Sequence, residues 1–163
     1  MQKQISMNIK LLAIGKTDNK NLQALIDEYT KRLGFYIKFD LEVIADIKNV
    51  KNLSEAQQKQ KEGELILSKL TATDHLILLD ENGKSFSSVG FADELQKKMN
   101  AGIKTLVFVI GGPYGFSDEV YKKANGKISL SAMTFSHQMV RLFVIEQIYR
   151  GFTILKNEPY HHQ

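Results

Sequence analysis

His137 and Arg141 stand four residues apart, a spacing that sets an imidazole and a guanidinium on one face of a helix. Near a helix N-terminus that pair, aided by the macrodipole, attracts a phosphate or a developing anion, which suits an RNA substrate. The same spacing also describes a packed histidine beside a surface ion-pair donor, and spacing leaves both readings open. Upstream, Val107-Phe108-Val109-Ile110-Gly111-Gly112-Pro113-Tyr114-Gly115 runs from a buried-type strand into a glycine-rich turn. Ligands of open α/β sheets bind at that end of a strand. Glycine lets the backbone approach a ligand, and Pro113 stiffens the turn. No Lys-Ser or Lys-Thr follows the glycines, and Pro113 occupies the place of a dinucleotide fingerprint's second glycine. Triphosphate and dinucleotide binding are therefore disfavoured, and a ligand held by backbone amides and carbonyls fits better. An ordinary strand-to-helix connection is the competing reading.

A second segment, Ile128-Ser129-Leu130-Ser131-Ala132-Met133-Thr134-Phe135, passes through small hydroxylic residues to Ser136, a natural N-cap for the following helix. Ser131 and Thr134 either face a ligand or satisfy loop backbone. Arg150 follows Glu146 by four residues and reads as half of a helix-surface salt bridge. The end of the chain places Tyr160, His161 and His162 directly after Pro159, an aromatic and two imidazoles where a frayed tail is the usual expectation. Asp80 and Glu81 close a strand and are candidate acid/base carboxylates that spacing does not single out. H-E-x-x-H and G-x-S-x-G are absent, and His161-His162 alone is a poor metal signature, so metal catalysis and triad hydrolysis are disfavoured.

The elements that must position these groups follow from periodicity. Runs rich in β-branched and aromatic residues predict strands at Ile9–Ile14, Phe39–Ala45, His75–Leu79, Thr105–Ile110 and Ile128–Leu130. Helical spacing predicts helices at Leu22–Leu33, Ser54–Leu70 with a Ser54/Gln57 capping box, Val89–Met99, Ser117–Ala124 and Met139–Phe152. This alternation gives the fold class: α/β, one domain, a mostly parallel sheet with helices on both faces. The last helix carries apolar residues on more than one face, so it needs two partners, either a wide core or another subunit.

The chain has 163 residues, 43% of them hydrophobic, enough for one sizeable core. It has no cysteine, which removes disulfides, thiolate nucleophiles and Cys-based zinc sites, and its apolar runs are shorter than a membrane span. An intracellular, cytoplasmic protein is expected. A formal charge of +4 favours an acidic partner such as RNA, modestly. Residues 1–6 are expected to be a lead without function.

In combination these residues resemble the RlmH family of small SPOUT methyltransferases. The resemblance spans Leu12-Ala13-Ile14-Gly15-Lys16, Glu28-Tyr29 with Lys31-Arg32-Leu33, Lys61-Glu62-Gly63, Leu78-Leu79-Asp80 with Gly83-Lys84, and the Val109–Gly115 turn. It continues through Ser129–Thr134, His137, Arg141, Tyr149-Arg150 and Pro159-Tyr160-His161. It implies a deep C-terminal trefoil knot, an exception to the rule against threaded chains. It also implies a homodimer that methylates N3 of a pseudouridine in large-subunit ribosomal RNA with S-adenosylmethionine, without metal or membrane. Carried over by position, Leu79, Gly111, Leu130, Ser131, Ala132, Met133, Thr134 and Phe135 are expected to hold the cofactor. Gly115, His137, Arg141, Arg150, Tyr160 and His161 are expected near the target base, the tail of one subunit (within residues 158–163) completing the other's pocket. A non-catalytic RNA-binding module and a different α/β nucleotide-binding enzyme are the alternatives. The chain departs from the family pattern before Met7 and at His162-Gln163, where a basic residue followed by Glu is common.

Overall fold

A computed structural model describes residues 6–162; the expected lead, Ser6 apart, and Gln163 lie outside the described residues. Five strands form one sheet: β1 (Asn8–Ile14), β2 (Phe39–Ile44), β3 (His75–Ser85), β4 (Thr105–Ile110) and β5 (Gly126–Ser129). Five helices accompany them: α1 (Lys20–Leu33), α2 (Glu55–Ser68), α3 (Ser88–Asn100), α4 (Asp118–Lys123) and α5 (His137–Leu155). A short 3-10 turn, Val50–Asn52, precedes α2. The strand order is β2-β1-β4-β3-β5 and every pairing is parallel.

The near-continuous apolar strands reflect burial on both faces. Along β4, Leu106, Phe108 and Ile110 point to one core, while Val107 and Val109 point to the other. The first core takes Ile26 and Leu33 of α1, Leu95 of α3, and Val144, Ile145, Ile148 and Phe152 of α5. The second takes Ile66 of α2, Phe116, and Val120 of α4. Side-chain caps start the helices: the reciprocal Ser54/Gln57 box for α2 and Ser136 for α5, as the sequence suggests, and Asn19 for α1, which begins two residues before the expected Leu22.

Two strands differ from expectation. β3 runs beyond Leu79, because Asp80–Gly83 form a bulge and Lys84 rejoins Ile128, the residue that also pairs with Leu79. Gly83 permits this, since a Cβ there would sit 2.6 Å from the Ile128 backbone. β5 begins earlier and ends at Ser129, leaving Leu130 in the loop beyond it.

Helix α5 packs against both α1 and α3. α3 leaves little room at Gly151, where a Cβ would come within 2.9 Å of Leu95 Cδ1. Gly151→Ala is expected to destabilise the fold by about 1–3 kcal/mol through overpacking. Leu95→Val should offset part of that cost in the double variant, a non-additivity that urea unfolding of the four chains measures.

Candidate functional site

The carboxyl ends of β3, β4 and β5 open into a cleft of about 460 Å³. Its walls are Leu79–Asn82 from the β3 bulge, Ile110–Phe116 from the turn after β4, Tyr121 of α4, Ile128–Phe135, and His137 and Val140 of α5. All eight residues expected to hold a cofactor, Leu79, Gly111, Leu130, Ser131, Ala132, Met133, Thr134 and Phe135, line this cleft, and so do Gly115 and His137. The lining contains Asp80 and Glu81 but neither lysine nor arginine. A smaller apolar cleft of about 300 Å³, with Phe86, Phe91, Phe108 and Phe143, shares Leu79, Ile128–Leu130 and Phe135 with it.

The loop after β5 is shaped by its own hydroxyls. Ser129 Oγ donates to Ser131 O at 3.1 Å, and Ser131 Oγ accepts from Met133 N at 3.0 Å, so Ser131 also serves the loop backbone. Ala132, Met133 and Thr134 are left exposed, Met133 at 76%. Behind the other wall, the turn Gly112–Gly115 closes with Gly115 N donating to Gly112 O at 3.2 Å, and Gly115 holds φ +82°. A Cβ at Gly111 would point at the Phe116 ring, 3.0 Å away, so a larger residue there would crowd the cleft by displacing that ring. A Cβ at Gly112 would collide with the carboxylate of Glu62, a buried residue of α2. Burial raises the Glu62 carboxyl above the ordinary value; a bond from Gln58 opposes this and the nearby Asp46 adds to it. On the far wall the Tyr121 hydroxyl donates to Asp80, and burial together with that bond pushes the phenol up to about 12.

The two groups four residues apart part company. His137 is exposed at the first turn of α5 and lines the cleft, whereas Arg141 is almost wholly buried, at 1% exposure, and is not part of the lining. Arg141 Nη2 donates to Ile14 O at 2.8 Å and Nη1 to Thr17 Oγ1 at 3.1 Å. Burial lowers its pKa, against the pull of Asp46 and Asp18. Gln138, which the sequence reading passed over, bonds Asp18 N and Lys16 O, so the first turn of α5 is tied to the loop after β1 at two residues.

Arg150, Tyr160 and His161 gather at the other end of α5, which over 13 residues from His137 lies about 20 Å along the helix axis. There the tail is ordered. Asn157, at φ 55°, turns the chain, and Glu158 N donates to Thr153 O at 2.9 Å. Tyr36 donates to Glu158 at 2.5 Å, which pushes its phenol up to about 12. Tyr160 packs edge-on against Tyr149, donates to Glu146 at 2.9 Å, has the Tyr29 hydroxyl 3.3 Å from its own, and lies under the Arg150 guanidinium. Burial and those bonds raise its pKa. Burial of Arg150 disfavours its charge, yet the bond and charge of Glu146 outweigh this and hold its pKa above the ordinary value. Glu146 is the residue whose importance spacing understated. Among the described residues no three His, Asp or Glu side chains form a metal-holding group, and no helix is long and apolar enough to cross a membrane.

Comparison with known proteins places this geometry among relatives. The family model described as "Predicted SPOUT methyltransferase" matches residues 7–161. A protein of Flavobacterium psychrophilum named Ribosomal RNA large subunit methyltransferase H is 87% identical over 157 residues, 96% of this chain and 100% of its own length. Proteins of the same name from Flavobacterium johnsoniae and Porphyromonas gingivalis are 84% and 52% identical over the same shares of both chains.

The glycine turn yields a graded test. Gly115→Ala meets no atom within 4 Å of its new Cβ, so its cost is backbone strain alone, about 1–2 kcal/mol. Gly112→Ala adds the collision with Glu62 and should cost more, by the same urea measurement. Because the Glu62 pKa is raised on folding, its ionisation opposes the fold: the penalty is absent in acid, appears as pH rises past the unfolded value, and is complete above the folded one. Glu62→Gln should therefore match the parent at pH 4 and exceed it in stability at pH 8.

Proposed function

This chain belongs to the SPOUT methyltransferase family, and from that premise we propose that it moves a methyl group from S-adenosylmethionine to N3 of a pseudouridine in large-subunit ribosomal RNA. It is a methyltransferase, and its relatives' name makes the large-subunit RNA its substrate. The cytoplasm is the expected setting, and the working unit is a single domain in each half of a homodimer, knotted around the cofactor loops.

The observation that carries the cofactor assignment is the chemistry of the cleft. A site for phosphates collects lysine and arginine; this one has Asp80 and Glu81, exposed loop backbone and an adjoining aromatic cleft. That set suits a ligand with a positive sulfonium and a flat base but no phosphate. When bound, S-adenosylmethionine supplies an electrophilic methyl carbon. Leu79, Gly111 and Leu130–Phe135 hold and orient it, while Gly115 and His137 border the space left for the acceptor base. Methylation at N3 would require loss of the N3 proton, which passes to solvent.

Arg150, Tyr160 and His161 are assigned to the target nucleotide, and the length of α5 explains why two subunits are needed. Roughly 20 Å separates them from the cleft of their own chain, so they meet a cofactor only in a partner's cleft. Arg141, buried and tied to Ile14 and Thr17, stays outside the lining and acts on the acceptor base only through its field, which favours loss of the N3 proton.

Mass spectrometry of ribosomal RNA from a strain lacking the gene should show one missing methyl on a large-subunit pseudouridine, returned when the gene is restored. An unchanged spectrum rejects the proposal. In the purified protein, removal of residues 160–163 should leave calorimetric cofactor affinity and the dimer seen by light scattering nearly unchanged while abolishing tritiated methyl transfer to ribosomes that lack the modification. Full transfer by the shortened chain would remove the tail from the site.

A further inference from the structure

Glu146 and Arg150 have the spacing of an ordinary helix ion pair, but Glu146 also holds the Tyr160 hydroxyl. Its Oε1 accepts from Arg150 Nε at 3.1 Å, from Arg150 Nη2 at 2.5 Å and from the Tyr160 hydroxyl at 2.9 Å. The remaining arm of Arg150, Nη1, lies 3.1 Å from Nδ1 of His161. A guanidinium only donates, so Nδ1 has to be the accepting nitrogen, and the proton of the ring belongs on Nε2. An imidazolium would set N–H against N–H across the same contact. Nε2 has no hydrogen-bond partner among the described residues and is covered in the single chain, so its proton is uncommitted and reaches a nucleotide only when the tail shifts to meet it.

We propose that Glu146, acting through Arg150, fixes His161 as a neutral ring with its proton on Nε2, so that the tail offers the target nucleotide a hydrogen-bond donor and not a base. The inference rests on the reading in which the tail meets that nucleotide, and it specifies what His161 does there. The matching acceptor is a carbonyl oxygen flanking N3 of a uracil-type base. As N3 loses its proton, negative charge spreads onto those oxygens, and a donor beside one of them strengthens as the charge develops. With Nδ1 committed to Arg150 and Nε2 already protonated, neither nitrogen takes the N3 proton, which passes to water. Glu146 is thus a positioning residue; His161 is the group that touches substrate.

Two measurements on the full chain test this separately. The first uses 15N-histidine protein and ring-nitrogen NMR at pH 7, with His161 assigned by its disappearance in His161→Gln. The parent should show a bare Nδ1 and a protonated Nε2. Arg150→Met and Glu146→Ala should both lose that preference, and Glu146→Gln, which keeps an acceptor oxygen, should restore it. A protonated Nδ1 or an imidazolium in the parent, or an unchanged ring in Arg150→Met and Glu146→Ala, overturns the proposal.

The second is methyl transfer to unmodified ribosomes. His161→Gln, whose amide N–H reaches about where Nε2–H lies, should keep about a tenth or more of kcat, while His161→Ala loses about a hundredfold, with KM for S-adenosylmethionine unaltered in both. Equal losses in the two variants overturn the donor role. Full activity in both, together with full activity of the chain shortened by residues 160–163, overturns the donor role because the tail itself is then outside the site. The ring spectrum needs no substrate, so it judges the Glu146–Arg150 relation whichever way that assay falls.

Discussion

A parallel strand pair cannot be joined by a hairpin, so each strand of this sheet must send its chain back through a crossover before the next begins. All four pairings here are parallel, and the loops after β1, β3, β4 and β5 consequently leave the sheet at one edge. Everything chemical at the cleft follows from that crowding. The glycine turn after β4 stands between the bulge of β3 and the loop after β1, and the hydroxylic loop after β5 closes the side beyond β3. Three of these loops supply backbone to the cleft. The fourth, Gly15–Asp18, together with Ile14 at the end of β1, hydrogen-bonds the buried Arg141 and the half-buried Gln138, which hold the start of α5 against the edge.

Two buried ionisable groups sit at this edge, and burial disfavours the charge of both. Arg141 has a carbonyl and a hydroxyl as acceptors and acidic groups nearby, yet its Nε has no partner among the described residues and burial holds its pKa below the ordinary value; its removal would strand those acceptors. Glu62 is pressed against Gly112 with one carboxyl oxygen unpartnered, and burial drives it toward the neutral form. The turn that borders the ligand space thus rests on a group chosen for fit at some expense in stability, a common arrangement behind a functional loop.

Much of this was legible in the chain because the signals are local. Thr105–Ile110 has the same bounds in sequence and structure, as expected of a run buried on both faces, and the eight residues that the family resemblance implied for a cofactor line one cleft, where strand ends of a parallel sheet converge. Legibility failed where a distant partner decides. The β3 bulge hides in the polar stretch Asp80–Gly83, and only contact with Ile128 reveals that the strand resumes. Spacing places His137 and Arg141 on one face but says nothing of which way that face tilts; acceptors more than a hundred residues upstream draw Arg141 inward. The order of the tail depends likewise on Tyr29 in α1 and Tyr36 just beyond it, so residues 158–160 read alone as a frayed end.

The strand order also bears on how the chain reaches this state during synthesis. β1 finds β2 early, but its other neighbour is β4, with Asn8 opposite Thr105. β3 emerges before β4 and has no place beside β1, because β4 must lie between them. A nascent chain therefore carries β3 with an open, apolar edge until Ile110 has left the ribosome, and only then can the sheet close from its centre. Such non-local closure belongs to the slower class of folding reactions, milliseconds to seconds, and it makes the interval between β3 and β4 the time when the young protein is most exposed to aggregation.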